Sequence, residues 1–304
     1  MSEISVHKAV LLHEVVEAFA AQKASDGKIP WYLDGTLGGC GHALAIADAL
    51  KGEVNIIGLD QDPKAIRRAE ESLKGKARQV ILENDNFRNL DVILAKHGIP
   101  NIDMMLLDLG ISSDELEASG KGFSFQKDEP LIMTFGDPAK HLFLATDIVN
   151  HWKEEDIANV IFGYSEDRYA RRIAKKICEY RAKKQIETSS ELAEIIKGAM
   201  PRMKGKWKIH PATKTFQALR ITVNDELNAL KEGLAKGYGR LAKGGKMAVI
   251  SFHSLEDKIV KDFYKNKERA GDAQISKKPI RATDEEIAEN PRSRSAKMRI
   301  IQKL

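Results

Sequence analysis

The sequence predicts a doubly wound α/β fold interrupted by an all-helical insertion, and three observations carry that expectation. Short apolar runs alternate with helix-like segments up to Asp108, the signature of a parallel sheet covered on both faces. Residues from about 114 to 212 then contain no strand-like run. Strand character returns late, at Lys246–Phe252 and Met298–Ile301, and a doubly wound sheet needs those strands. The expected boundaries are 1–115 plus 213–304 for the sheet domain and 116–212 for the helical insertion.

Taken in order, Trp31-Tyr32-Leu33 is a short strand that ends at Asp34-Gly35. Gly41 to Leu50 reads as a helix with apolar Leu44, Ala47 and Leu50. Val54–Leu59 is a buried strand ending at Asp60. Pro63 opens the next helix at a favoured first-turn position, with Asp62 placed to cap it. Val80–Leu82 and Ile102–Leu107 supply the third and fourth strands, the latter ending at Asp108. In the insertion, Glu154–Phe162, Asp167–Lys183 and Ser189–Met200 read as helices, with Ser119–Asp137 and Met200–His210 as linkers. Thr213–Leu234 reads as one helix, because Phe216, Leu219, Val223, Leu227, Leu230 and Leu234 recur at steps of 3 and 4. Gln217, Arg220 and Asn224 form a polar stripe beside them.

Composition narrows the class. With 42% hydrophobic and 31% charged residues in 304, a core can form and global disorder is excluded. No apolar run approaches the ~18 residues needed to span a bilayer, and the N-terminus lacks a signal-peptide layout. Two cysteines make no disulfide framework, and no Cys/His spacing fits zinc. A cytoplasmic globular protein without a metal is expected. The net charge is only +5, but it is uneven. Ser165–Arg220 holds 15 Lys/Arg against 6 Asp/Glu, and Ser276–Leu304 holds 8 against 4. Two basic regions on a near-neutral chain point to a polyanionic partner.

The segment Leu33-Asp34-Gly35-Thr36-Leu37-Gly38-Gly39-Cys40-Gly41-His42 follows a strand and opens a helix. Its glycines admit close backbone approach, and the helix start offers free N–H donors. The dinucleotide pattern G-x-G-x-x-G fails at Leu44, so a ligand without a pyrophosphate fits better. Asp60, ending the second strand, stands where this fold places an acceptor for ribose hydroxyls. Asp108 ends the fourth strand at the same ligand edge. Asp34, Asp60 and Asp108 together suit a ligand with a ribose and a cationic group, and S-adenosylmethionine has both.

Longer blocks make the resemblance specific. They include His7-Lys8-Ala9-Val10-Leu11, Asp34–His42, Gly58–Pro63, Asn86-Phe87, Asp108–Ser113 and Gly122-Phe123-Ser124-Phe125. His210–Thr213, Thr215–Ile221, Val223–Leu227, Ser251–Asp257 and Asn290–Arg299 continue the series. On these the chain resembles the ribosomal small-subunit methyltransferase H family over nearly its whole length. The resemblance implies a class I S-adenosylmethionine methyltransferase (Rossmann-like) sheet. It also implies methylation of N4 of a cytidine in 16S rRNA within the small ribosomal subunit. It places Cys40, Gly41, His42, Asp60, Phe87, Asp108 and Glu115 at the cofactor, beside Asp34 and Gly39 from the loop itself.

The chain departs from the family pattern at Ala9 (Pro), Cys40 (Gly), Glu115 (Gln) and Lys121 (Arg). The family's Leu-Asp-Met-Arg-Met stands here as Leu131-Ile132-Met133-Thr134-Phe135, which loses an acid and a base. Cytosine's exocyclic amine is a poor nucleophile, so hydrogen-bond acceptors are expected near the fourth strand: Asp108, Ser112 or Ser113. His253 is the expected group for holding the base or taking a proton; the rival reading is local capping through Ser254 with Glu256 and Asp257. Arg171, Arg172, Lys175, Lys176 and Arg220 are the expected RNA contacts, with no membrane or DNA partner. Two other readings stand beside this one: an RNA-binding assembly factor that has lost turnover, and a small-molecule methyltransferase.

Overall fold

The structure, a computed structural model, describes residues 8–22, 24, 27–112, 115–116, 119–201 and 209–304. Seven strands form one sheet: β1 Trp31–Asp34, β2 Asn55–Leu59, β3 Gln79–Glu83, β4 Ile102–Asp108, β5 Leu241–Ser251, β6 Ala273–Ile275 and β7 Lys297–Lys303. Their order is β3-β2-β1-β4-β5-β7-β6. β1 to β5 pair in parallel, and β7 runs antiparallel to both β5 and β6. This is the class I methyltransferase sheet, with chain order reversing beside β1 and β4, where open α/β sheets bind ligands.

Alternation along the strands sends side chains to two cores. Tyr32, Ile56, Met104, Leu106, Ala248, Ile250 and Met298 enter one face. Leu33, Ile57, Met105, Leu107, Met247, Val249 and Ile301 enter the other. Strands buried on both faces read as continuous apolar runs, which is why β1, β2 and β4 are legible in the sequence.

The chain divides into two compact units: residues up to Gly110 together with Leu227–Leu304, and Ile111–Glu226. The second is wider than the 116–212 read from the sequence. Helix Ala212–Asn224 belongs to it, burying Phe216, Leu219 and Val223 with Ile157, Ile161, Ile173 and Ile196. Each such fully buried aliphatic side chain contributes roughly 1.5–3 kcal/mol. Among the described residues no helix is long and apolar enough to cross a membrane.

Three expectations need correction. The helix read as Thr213–Leu234 is two, Ala212–Asn224 and Glu226–Arg240, divided at Asp225 with φ 49°. Its polar stripe is built in: Asn224 Nδ2 donates to the Met133 carbonyl at 2.8 Å while its Oδ1 accepts from the Phe135 N–H at 2.8 Å. The Gln217 amide donates to the Tyr164 carbonyl at 3.3 Å. Nor is Ser119–Asp137 a linker. Leu131 and Met133 are buried, and the Leu131 N–H donates to the Glu187 carbonyl at 2.9 Å. Lastly, β6 has no counterpart in the sequence pattern; at three residues it leaves no periodicity. Of Met200–His210, residues 202–208 lie outside those described.

Candidate active site

The loop after β1 is organised by its own acids. The Asp34 carboxylate is buried; it accepts the Tyr32 hydroxyl at 3.0 Å and the Thr36 N–H at 3.2 Å. Burial raises its pKa to about 6, and the neighbouring Asp60 charge adds to this. Asp60 closes the loop from the next strand: Oδ2 accepts the Gly38 N–H at 2.7 Å and Oδ1 the Asp62 N–H at 2.8 Å. Burial raises Asp60 too, against those two bonds. A carboxylate oxygen has two lone pairs, so each keeps one for a further donor. Asp62 caps helix Pro63–Ser72 by accepting the Lys64 N–H at 2.9 Å.

Cys40 precedes helix Gly41–Ala49 with φ 63°, in the left-handed region. Its thiol is buried, and desolvation pushes it up to about 12, so it is an inert packing group. Space at Gly41 is tight: a Cβ there would meet Ala9 Cβ at 3.0 Å, so Ala9 would have to give by a few tenths of an ångström. His42 is buried, with Nε2 3.0 Å from the Val10 carbonyl. A carbonyl only accepts, so Nε2 carries a proton, and Nδ1 lies 4.0 Å from Asp108 Oδ2.

Asp108 is the focus of the edge. Its N–H donates to Thr36 Oγ1 at 2.7 Å, which ties the ends of β1 and β4 together. Its Oδ1 is buried without a hydrogen-bond partner among the described residues. Burial, then the charges of Asp34 and Glu256, raise its pKa to about 8, with Arg292 pulling the other way. An orphaned acid oxygen in an acidic surround calls for a cationic or N–H-bearing ligand.

Phe87 is half-buried and packs on the sheet's second core. A Cβ on Gly233 would lie 2.5 Å from its ring, so helix Glu226–Arg240 holds one edge of that ring. His253 is the N-cap of helix Ser254–Arg269, one residue earlier than the Ser254 cap expected. Its Nδ1 accepts the Glu256 N–H at 3.4 Å, and Glu256 Oε2 accepts the N–H groups of Phe252 and His253 at 2.8 and 3.2 Å. Asp257 is bonded to Lys297 at 3.1 Å and Arg299 at 2.7 Å. Capping therefore accounts for Glu256 and gives His253 a duty, while Asp257 is taken up by the two cations of β7.

Asp34, Gly39, Cys40, Gly41, His42, Asp60, Phe87, Asp108 and His253 all fall in the sheet unit. Ser112 and Glu115 fall in the helical unit and bond each other: the Ser112 N–H donates to Glu115 Oε2 at 3.0 Å, and the Glu115 N–H to Ser112 Oγ at 3.1 Å. This reciprocal pair is a capping box. Ser113 lies outside the described residues. Arg171, Arg172, Lys175 and Lys176 are all exposed on helix Ala170–Arg181, opposite its buried Ile173, Ala174 and Ile177. Arg220 differs from them: its guanidinium holds both Glu226 oxygens, at 2.8 and 3.0 Å, and lies over the Phe135 ring. Sequence reasoning missed Tyr32, Thr36 and Arg292; Thr36 and Arg292 left a signal, inside the blocks Asp34–His42 and Asn290–Arg299. Among the described residues no group of three or more His, Cys, Asp or Glu forms a metal-holding cluster.

Comparison with known proteins accords with this geometry. Residues 4–304 match the MraW methylase family. A protein of Deinococcus deserti named ribosomal RNA small subunit methyltransferase H is 45% identical over 304 residues, spanning 100% of this chain and 95% of that one. Proteins of the same name from Sulfurihydrogenibium sp. and Persephonella marina are 44% and 43% identical, covering 97% and 98% of this chain and 98% and 99% of theirs. A match of that extent shows the family: the chain belongs to the MraW methylases and is a methyltransferase.

Proposed function

We propose that this protein transfers a methyl group from S-adenosylmethionine to N4 of a cytidine in the 16S RNA of the small ribosomal subunit, in the cytoplasm. The observation that carries the reading is the end-to-end similarity to proteins named for small-subunit RNA methylation, joined to an acidic ligand edge. The residues fit the cofactor: Asp60 keeps lone pairs for a ribose, Gly38–Gly41 brings backbone close, Phe87 presents an aromatic edge, and the orphaned Asp108 Oδ1 suits a cation. When bound, S-adenosylmethionine supplies an electrophilic methyl group.

The chain's own part is to hold and orient. A cytosine amine is conjugated with its ring, so it must be placed in line at about 3–3.5 Å from the carbon it attacks. An ionised Asp108 accepts one amine N–H and favours a pyramidal nitrogen. Thr36 fixes the Asp108 backbone through its N–H, and His42 Nδ1 stands 4.0 Å from the carboxylate. The target base must leave its stack, costing a few kcal/mol. The exposed cations of helix Ala170–Arg181 supply phosphate contacts that offset this. Incubation of small subunits with methyl-labelled cofactor should place label in the RNA; label confined to small molecules would refute the assignment.

The readings without turnover or with a small substrate gain no support. Ile132 and Thr134 sit in a hydrogen-bonded turn: the Ile132 N–H donates to the Lys121 carbonyl at 3.2 Å, and Lys121 Nζ donates to the Thr134 and Gly136 carbonyls at 3.0 and 2.6 Å. The departures are thus accommodated locally.

Two further outcomes follow. Asp60→Ala frees the Gly38 and Asp62 amides and removes the ribose acceptors, so cofactor affinity by calorimetry should fall roughly 10-fold. Unchanged affinity in the folded variant would remove Asp60 from the site. Neutralising Arg171, Arg172, Lys175 and Lys176 together should weaken subunit binding and flatten its salt dependence. The log–log slope should drop by about 0.7–0.9 for each phosphate no longer engaged. An unaltered slope would make this face a merely solvated one.

A further inference from the structure

The last strand enters the sheet at the reactive edge, and the turn before it carries a cation. β7 is antiparallel, so its first residue, Lys297, pairs with Ser251 at the end of β5, while Ile250 pairs with Asp108 on β4. The preceding turn, Pro291–Ser295, therefore lies at the edge where Asp108 sits. That turn is held firmly. Ser293 is buried and its Oγ donates to the Asn290 carbonyl at 2.8 Å. Asn290 Nδ2 donates to the Lys8 carbonyl at 3.1 Å, and the Leu11 N–H donates to Glu286 Oε1 at 2.8 Å. Residues 8–11 so bridge the turn to His42, which bonds Val10, and His42 faces Asp108.

The cations of this region have distinct duties. Lys297 and Arg299 are bonded to Asp257, and Arg294 is exposed. Arg292 is half-buried, and its charge acts on Asp108. The other groups acting on Asp108 are Asp34 from β1, His42 from helix Gly41–Ala49, and Glu256, capped by His253, from helix Ser254–Arg269. The Tyr32 hydroxyl, on β1, also feels the Asp108 charge. Both acids oppose ionisation of Asp108, and Arg292 favours it.

We propose that Arg292, on the turn that enters the sheet beside Asp108, is a positioning residue that favours the charged form of the Asp108 carboxylate needed for methyl transfer, acting through Asp108. The inference deepens the methyltransferase reading and rests on it for its purpose, but its test begins without ligand. Aspartate carboxyls labelled with ¹³C are titrated by NMR in the ligand-free protein, with Asp108 assigned by its loss in Asp108→Asn. Arg292→Met should move the Asp108 midpoint up by about one pH unit, and Arg292→Lys should restore most of it. The other aspartate resonances report folding, and Arg292→Gln serves if the Met variant does not fold. Single-turnover transfer by the neutral variant should slow about 10-fold at pH 7 and recover toward pH 9. In an Asp108→Asn background the same change should cost nothing further. An Asp108 midpoint that stays put, or an equal loss in the Asp108→Asn background, would overturn the proposal. A wild-type protein that methylates no RNA would instead overturn the functional reading, leaving the titration to decide Arg292.

Discussion

Asp108→Asn should lower single-turnover methyl transfer about 100-fold, the usual cost of removing one preorganised charge or donor from a reaction centre. Binding of the ribosomal subunit should be unaffected. The substitution keeps size and one acceptor, so the bond from the Asp108 N–H to Thr36 survives. The pH dependence makes the expectation sharper. In the free protein Asp108 titrates near pH 8 because of its burial and the charges of Asp34 and Glu256. A cationic ligand prefers the carboxylate, so below pH 8 its binding must release a proton. Wild-type affinity should rise with pH, by up to tenfold per unit, and level off above 8; the Asn variant should be flat. Stability runs the other way. The folded pKa is raised above the unfolded value of about 3.9, so the native state binds more protons between about pH 4 and 8. This group's contribution is then full below pH 4 and lost as pH rises through 8. Ligand-free Asp108→Asn should therefore gain at least about 1 kcal/mol on wild type between pH 5 and pH 8. A full-rate variant would exclude the charged role and turn attention to Ser112 and His253.

The second large effect is structural and lies in the helical unit. Gly122 has φ 72°, and a Cβ there would stand 2.5 Å from the Pro130 carbonyl oxygen and 3.3 Å from Leu131 Cα. Those are backbone atoms of the segment that buries Leu131 and Met133, and they cannot yield by a side-chain rotation. The Gly122 N–H also donates to Glu129 Oε2 at 3.0 Å. Gly122→Ala adds about 1–2 kcal/mol for the left-handed conformation to the cost of displacing that segment. A total above about 3 kcal/mol is expected in urea denaturation, in the range reserved for steric faults in a core. Gly120→Ala is the control: φ is 69° but nothing lies within 4 Å, so only the conformational part, about 1 kcal/mol, should appear. Equal losses in the two variants would show that the clash with Pro130 is relieved at no cost.

The contrast between these two positions shows what a sequence can disclose. Asp34, Asp60 and Asp108 are legible because each closes an apolar run, and a doubly buried strand announces its own end. The bonds that organise them are not. Thr36 and Asp108 are 72 residues apart, and no local pattern pairs them. Arg292 stands in a distinctive block but without a visible role, because its effect depends on β7 running antiparallel into the ligand edge. The break at Asp225 is hidden for another reason: one residue with φ 49° leaves the spacing of apolar residues on either side intact. Ser112 and Glu115 read separately as a catalytic and a cofactor residue. Their spacing of three, which makes them a capping pair, is the signal that joins them.

An acidic ligand edge that serves methylation of a cytidine amine in small-subunit RNA must leave its product in that RNA. The most direct test is nucleoside mass spectrometry of RNA from small subunits incubated with the protein and S-adenosylmethionine. One N4-methylated cytidine per subunit is expected, formed by the wild type and nearly absent with Asp108→Asn. A methyl group on another nucleoside, or equal product from the two proteins, would contradict it.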